Sequence, residues 1–248
     1  MNQLTDKTAL VTGGTSGIGL ATAQRLAAEG AHVIVTGRDQ ARVDAAAASI
    51  GASATGVRGD VSRPDDLDAV VAAIESRGRG LDVVFANAGG GEFAALGEIT
   101  PEHLQDTFST NVFGTVYTIQ KVLPLLNEGA SIVLTGSTAA HNGTPSFSAY
   151  GASKAAIRSL GRTWAAELAG RRIRVNTVTP GPIETPGLKG LAPSGQEHTL
   201  LEELTADVTL GRIGRPDEIA AAVVFLGSDQ STFVTGTELF VDGGQVQV

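Results

Sequence analysis

Thr8-Ala9-Leu10-Val11-Thr12-Gly13-Gly14-Thr15-Ser16-Gly17-Ile18-Gly19 decides how the rest of the chain is read. A short apolar, β-branched run stops at a glycine-rich turn, and Leu20 to Glu29 continues as a helix that Gly30 ends. Strand, turn and helix start in that order make a phosphate-binding unit. Glycine lets the backbone come close to an anion, and the helix N-terminus offers free N–H groups and the positive end of a dipole. Gly13, Thr15, Ser16, Gly17, Ile18 and Gly19 are therefore candidate ligand contacts. The spacing is Thr12-Gly13-x-x-x-Gly17-x-Gly19, which differs from the commonest dinucleotide pattern.

The same rhythm repeats outward from that unit. His32–Thr36 leads to Gly37-Arg38-Asp39, Thr55–Gly59 to Asp60-Val61, and Leu81–Ala86 to Asn87-Ala88-Gly89-Gly90-Gly91. Ser131–Thr135 leads to Gly136-Ser137, and Ile173–Val178 to Pro180-Gly181. Apolar strands separated by helix-length segments imply an α/β fold, a Rossmann-like doubly wound parallel sheet with helices on both faces. One domain over residues 1–248 is expected, with no linker of domain size. Ligands in such sheets bind beyond the carboxyl ends of the strands, where all these turn residues fall. An acidic residue about 20 positions past the glycine turn binds the adenosine ribose, whereas an arginine there accommodates a 2′-phosphate. That position is Gly37, followed at once by Arg38, so NADP(H) is favoured and NAD(H) is the alternative. Asp39 could pair with Arg38, and Ser16 adds no second positive charge.

Composition narrows the chemistry. A net charge of −8 with only short basic runs disfavours a nucleic-acid surface. Zero Cys removes thiolate nucleophiles, disulfides and thiolate metal sites, and fits a reducing compartment. The four His are scattered without metal-ligand spacing, so no metal is expected. The polar N-terminus and the absence of any run of about 20 apolar residues suggest a cytoplasmic protein without membrane contact.

Tyr150-Gly151-Ala152-Ser153-Lys154 carries the chemistry. At i and i+4 of a helix the phenol and the ammonium share one face, with Cβ atoms about 5–6 Å apart. A phenol of pKa about 10 needs roughly 4 kcal/mol of phenolate stabilisation to titrate near neutrality, and a nearby cation acts in that direction.

With Thr12-Gly13-x-x-x-Gly17-x-Gly19, Asn87-Ala88-Gly89, Ser137, Tyr150-x-x-x-Lys154 and Pro180-Gly181 in one order, the chain resembles the short-chain dehydrogenase/reductase family from about Thr8 to Gly244. The late stretches Arg212–Ala220 and Val241-Asp242-Gly243-Gly244 share in the resemblance. It implies that Tyr150 exchanges a proton with a substrate oxygen while hydride moves to or from nicotinamide. It implies that Lys154 lowers the Tyr150 pKa and holds the nicotinamide ribose. Ser137 would hydrogen-bond the carbonyl oxygen, and Asn111, on a helix from about Pro101 to Leu126, would hold a water leading to Lys154. By the same resemblance Asn87, Ala88 and Gly89 line the adenosine side, Asp60 and Val61 the adenine, and Pro180, Gly181, Ile183 and Thr185 the nicotinamide. Ala86 departs from the family, where Asn is commoner.

Residues 186–210 read as a hinge-rich segment followed by a short helix-like stretch, a candidate mobile lid over the substrate. Leu188, Leu191, Phe93, His141, Pro145 and Phe147 are candidates for an apolar wall. The resemblance implies a homotetramer, with Phe113, Tyr117, Leu160 and Trp164 on the assembly helices. The expected reaction interconverts a small ketone or aldehyde and its alcohol. A 3-ketoacyl-carrier-protein-type reductase is an alternative, because Arg171 and Arg172 could meet an acidic carrier, although the Asn127-Glu128-Gly129 turn lacks a basic residue. A non-catalytic dinucleotide-binding sensor is another.

Overall fold

The computed structural model describes residues 2–248. Seven strands form one parallel sheet: β1 (Thr8–Val11), β2 (His32–Gly37), β3 (Ala54–Arg58), β4 (Leu81–Ala86), β5 (Leu126–Thr135), β6 (Arg174–Pro180) and β7 (Glu238–Val241). Their order is β3-β2-β1-β4-β5-β6-β7, every neighbouring pair parallel. The helices are α1 (Gly17–Ala28), α2 (Gln40–Ile50), α3 (Asp68–Ser76), α4 (Pro101–Phe108), α5 (Gly114–Val122), α6 (Ser148–Glu167), α7 (Pro186–Lys189), α8 (Glu197–Ala206) and α9 (Pro216–Gly227).

The two-residue period of the strands sorts their side chains into two cores. Leu10, Ile34, Val84, Ile132 and Val175 point to one face, where Val70 and Ile74 of α3, Ile119 and Val122 of α5, and Ile157 of α6 cover them. Ala9, Val11, Val33, Val35, Phe85 and Val133 point to the other, under Ala23 and Leu26 of α1 and Ile219, Val223 and Leu226 of α9. Each fully buried aliphatic side chain contributes roughly 1.5–3 kcal/mol of transfer free energy. The sheet is thus closed on both faces, which leaves its strand ends as the place where the sheet itself can meet a ligand.

Strand order reverses between β1 and β4, so the turns after these strands diverge and open a crevice. Gly13–Gly19 and Asn87–Gly91 form its walls.

Several sequence expectations are corrected. The helix expected over Pro101–Leu126 is interrupted: α4 passes into a π segment at Ser109–Phe113 before α5, and Leu126 already belongs to β5. Asn127, Glu128 and Gly129 are therefore strand residues rather than a turn. Strand β7 and helix α9, not assigned as elements from the sequence, complete the sheet edge and one helical layer. Residues 186–210 hold α7 in the segment expected to be hinge-rich and α8 where a short helix-like stretch was expected. Tyr117, Leu160 and Trp164 pack against the first core, while Phe113 is exposed. No helix among the described residues is long and apolar enough to cross a membrane.

Candidate active site

The glycine turn is shaped for close approach. Gly13 and Gly17 have φ of +63° and +50°, which side-chain-bearing residues rarely adopt, and a Cβ on Gly19 would meet the Gly13 carbonyl oxygen at 2.1 Å. Ser16 stands at the N-cap of α1 without accepting a bond from the first turn, which carries no acidic residue. The helix start keeps free N–H groups beside the crevice.

Asn87 closes the crevice floor. Its Nδ2 donates to the Thr12 carbonyl at 3.0 Å and its backbone N–H to Thr12 Oγ1 at 3.0 Å, and the Ala88 N–H shares that hydroxyl at 3.1 Å. Thr12 thereby locks the end of β4 to the end of β1, a role the sequence pattern did not single out.

The crevice measures about 850 Å3 and is lined by Gly13, Thr15, Ser16, Gly17, Ile18, Gly19, Arg38, Asp60, Val61, Asn87, Ala88, Gly89 and Thr185, among others. Asp39 does not pair with Arg38: its carboxylate caps α2, accepting from the Arg42 N–H at 2.9 Å. Arg38 and Arg42 both line the crevice, exposed and with no ion pair among the described residues. Arg42 was not foreseen, although its place four residues past Arg38 in a helix that opens at the crevice was available as a signal. A Cβ on Gly37 would meet Thr15 Cγ2 at 2.6 Å, so a side chain there requires Thr15 to turn aside.

A second cleft of about 360 Å3 adjoins the first, sharing Ile18, Asn87, Gly89, Gly90, Gly91 and Thr185. Tyr150, Ser137, Lys154, Pro180, Gly181 and Ile183 line it. Ser137 follows β5 and caps the short turn Thr138–Ala140, accepting from the Ala139 N–H at 3.2 Å. Tyr150 lies in the first turn of α6 and Lys154 one turn later, its Nζ 5.6 Å from the centre of the phenol ring. Lys154 is 3% exposed, and its ammonium donates to the Thr135 carbonyl at 2.9 Å. Burial without an acidic partner lowers its pKa to about 8. Burial raises the Tyr150 phenol and the Ser137 hydroxyl acts the other way, so the lowering expected from Lys154 is not seen: its ammonium is turned to the Thr135 carbonyl.

Asn111 lines neither cleft. It lies within the π segment, 1% exposed: Oδ1 accepts from the Gly90 N–H, and Nδ2 donates to the Gly90 carbonyl and to Ser153 Oγ, each at 2.9 Å. Both amide hydrogens are thus engaged, and Oδ1 keeps one acceptor site. The side chain ties the Gly89–Gly91 wall to α6.

Pro182, Ile183 and Glu184 are fastened to Gly214 by two backbone bonds, Gly214 N–H to Pro182 O and Glu184 N–H to Gly214 O, leaving the Ile183 N–H without a protein acceptor among the described residues. Thr185 Oγ1 caps α7 by accepting from the Leu188 N–H, and its methyl packs over Gly17.

Phe93, Phe147, Leu188 and Leu191 line the second cleft, joined by Leu200 and Leu204 of α8. His141 and Pro145 do not. His141 Nε2 is bonded to Glu238 Oε1 at 2.8 Å and its ring lies edge-on to Phe240, which anchors the 138–147 loop to β7.

This arrangement has close counterparts. The family profile described as Enoyl-(Acyl carrier protein) reductase matches residues 13–245. The chain is 43% identical to an oxidoreductase of Sarocladium schorii, over 100% of this chain and 99% of that one. It is 36% identical to dehydrogenase/reductase SDR family member 4 of Mus musculus, over 98% of this chain and 88% of that one. Among solved structures, a short-chain dehydrogenase/reductase of Brucella melitensis superposes with a TM-score of 0.93 at 35% identity, covering 99% of each chain.

Proposed function

The chain belongs to the short-chain dehydrogenase/reductase family, and from that premise we propose that it is an NADP(H)-dependent oxidoreductase interconverting a ketone or aldehyde and the matching alcohol. The observation that carries the reading is the meeting of Tyr150, Ser137 and Lys154 in one cleft that opens onto the glycine-lined crevice.

The residues fit a nicotinamide dinucleotide. Gly13, Thr15, Ser16, Gly17, Ile18 and Gly19 receive its pyrophosphate, Asp60, Val61, Asn87, Ala88 and Gly89 the adenosine, and Pro180, Gly181, Ile183 and Thr185 the nicotinamide, where the unpaired Ile183 N–H suits a carboxamide oxygen. When bound, the reduced cofactor supplies a hydride to the carbonyl carbon. Ser137 donates a hydrogen bond to the carbonyl oxygen as negative charge develops on it. Tyr150 gives that oxygen its proton, so the ketone gains a hydride and a proton and becomes the alcohol. Lys154, its pKa brought to about 8 by burial, is placed to return a proton to Tyr150 after the transfer. Asn111 positions the wall beside them.

Arg38 and Arg42 favour NADPH, since a 2′-phosphate needs cations and Gly37 offers no carboxylate to hold an unphosphorylated ribose. α7 and α8 act as the lid. A cytoplasmic homotetramer completes the reading.

A solved structure provisionally assigned as a betaketoacyl-ACP reductase, 41% identical with a TM-score of 0.85 over 99% of this chain and 100% of that one, keeps the carrier-bound substrate as the second reading. The arginines argue against it here. Arg171 donates to the Leu123 and Leu126 carbonyls, and Arg172 pairs with Glu128. Arg171 is thus held by its own fold, and Glu128 beside Arg172 offsets the positive charge that an acidic carrier would seek.

The test is calorimetric titration with NADPH and NADH, followed by turnover of a carbonyl panel read at the reduced-nicotinamide band. Tighter NADPH binding with carbonyl-dependent oxidation supports the proposal. Binding without turnover of any carbonyl or alcohol favours the sensor.

A further inference from the structure

The catalytic cleft is chemically lopsided. Lys154 is the one charged side chain on its wall among the described residues, and its ammonium is sealed inside and bonded to Thr135. No second cation stands on the wall to pair with a carboxylate or a phosphate on a substrate; its other polar groups, Ser137, Asn142, Thr144, Tyr150 and Gln245 among them, are neutral. Burying such a group unpaired costs far more than the cleft can return.

The apolar side of the cleft is also flat. Phe147 stacks on the Tyr150 ring, centroids 4.4 Å apart and planes 24° from parallel. Phe93 continues the row, its centroid 4.8 Å from that of Phe147 at 46°. Three rings thus lead from the proton donor to the mouth, where Phe93 remains 43% exposed. An exposed aromatic at a cleft mouth gains most by covering itself with another flat apolar group, and aromatic pairs are favoured over aliphatic contacts of equal area. The cleft volume, about 360 Å3, must also admit the nicotinamide end of the cofactor, since Ile18 and Thr185 line both spaces. Room remains for a small molecule only.

We propose that the substrate is a small uncharged ketone carrying an aryl group on one side of its carbonyl, with the ring against Phe93 and Phe147 and the oxygen at Tyr150 and Ser137. The inference rests on the reductase reading above and narrows it to one substrate class.

The test compares three methyl ketones: phenyl, cyclohexyl, and phenyl bearing a para-carboxylate. Each is assayed for kcat/KM with wild type and with Phe93→Ala, a position outside both cores, with the fold of the variant checked by circular dichroism. Each is also titrated calorimetrically into Tyr150→Phe, which keeps the ring row but lacks the proton donor. The expected wild-type result is a preference of about tenfold for phenyl over cyclohexyl, at least a hundredfold loss with the carboxylate, and a fall of the phenyl preference to about twofold in Phe93→Ala. Equal phenyl and cyclohexyl turnover, a ratio unchanged by Phe93→Ala, or good turnover of the carboxylate would overturn the proposal. Failure of the underlying reductase reading looks different: phenyl-selective binding to Tyr150→Phe with no turnover by wild type. Absence of both phenyl-selective binding and turnover overturns the two together.

Discussion

The Asn111 carboxamide donates to the Ser153 hydroxyl at 2.9 Å, and that hydroxyl in turn donates to the Tyr150 carbonyl at 2.7 Å. Ser153 is wholly buried, so the π segment and the catalytic helix are joined through one side chain. π turns inside helices are frequent at functional sites, and here the turn swings Asn111 into reach of both Gly90 and α6. Ser153→Ala should leave Asn111 Nδ2 short of a partner, at a cost of about 1–3 kcal/mol in stability. Misplacement of Tyr150 should lower kcat with KM little changed. Urea unfolding and steady-state kinetics on the same preparation check both.

Gly91 faces the Tyr150 ring directly: an added Cβ would lie 2.5 Å from Tyr150 Cδ2 and 2.8 Å from Cγ. Gly91→Ala should therefore displace the phenol rather than unfold the chain, because Gly91 sits on the cleft wall and not in either core. Displacements of about 1 Å at a reacting group can cost about a hundredfold in rate. The expected outcome is a loss of that order in kcat, with the cofactor dissociation constant within about twofold of wild type.

Lys154 gives the free protein a distinctive pH dependence. Its pKa falls from 10.5 to about 8 on burial, so below pH 8 both folded and unfolded chains carry the proton and the full cost of the buried charge is present. Between about 8 and 10 the folded chain sheds that proton while the unfolded chain keeps it, and stability rises with pH. The whole separation is worth about 3 kcal/mol. Above about 10 the raised Tyr150 pKa reverses the trend, since the folded chain then retains a proton that the unfolded chain loses. Urea unfolding at pH 8, 9 and 10 should show the rise, and Lys154→Met should abolish it.

Arg38 and Arg42 should share the recognition of a 2′-phosphate. Removing either should weaken NADPH binding by about tenfold, as expected for a charge-assisted hydrogen bond at an open rim, and leave NADH binding nearly unchanged. Arg38→Asp should weaken NADPH much more than NADH. Gly37→Asp should bind NADH poorly until Thr15 is shortened to Gly, because the new Cβ meets Thr15 Cγ2. Calorimetric titration of these variants with both cofactors reads all of these.

Much of this was legible from residue patterns because it depends on local chemistry. Gly13–Gly19 announces itself since a tight turn into a helix needs glycine, and Tyr150 and Lys154 share a helix face by their spacing alone. What stayed hidden depends on contacts distant in sequence. His141 reads as a free apolar-wall candidate until Glu238, 97 residues away, claims it. Asp39 looks like a partner for Arg38, but helix capping is the nearer use of its carboxylate. The π turn at Asn111 leaves no mark in hydrophobic periodicity, because one extra residue shifts the helical face without interrupting the run. β7 is only four residues long and half-buried, too short for its alternation to stand out.

The central claim is that Tyr150 completes a hydride transfer to a carbonyl carbon. The most direct measurement is mass spectrometry of the alcohol formed from an aryl methyl ketone and NADPH carrying deuterium at the transferable C4 position, with wild type and Tyr150→Phe side by side. The account predicts one deuterium on the carbinol carbon with wild type, and a loss of product formation of at least about a hundredfold in a variant that still binds NADPH. Cofactor binding by wild type with no deuterated alcohol, or undiminished transfer by Tyr150→Phe, would contradict it.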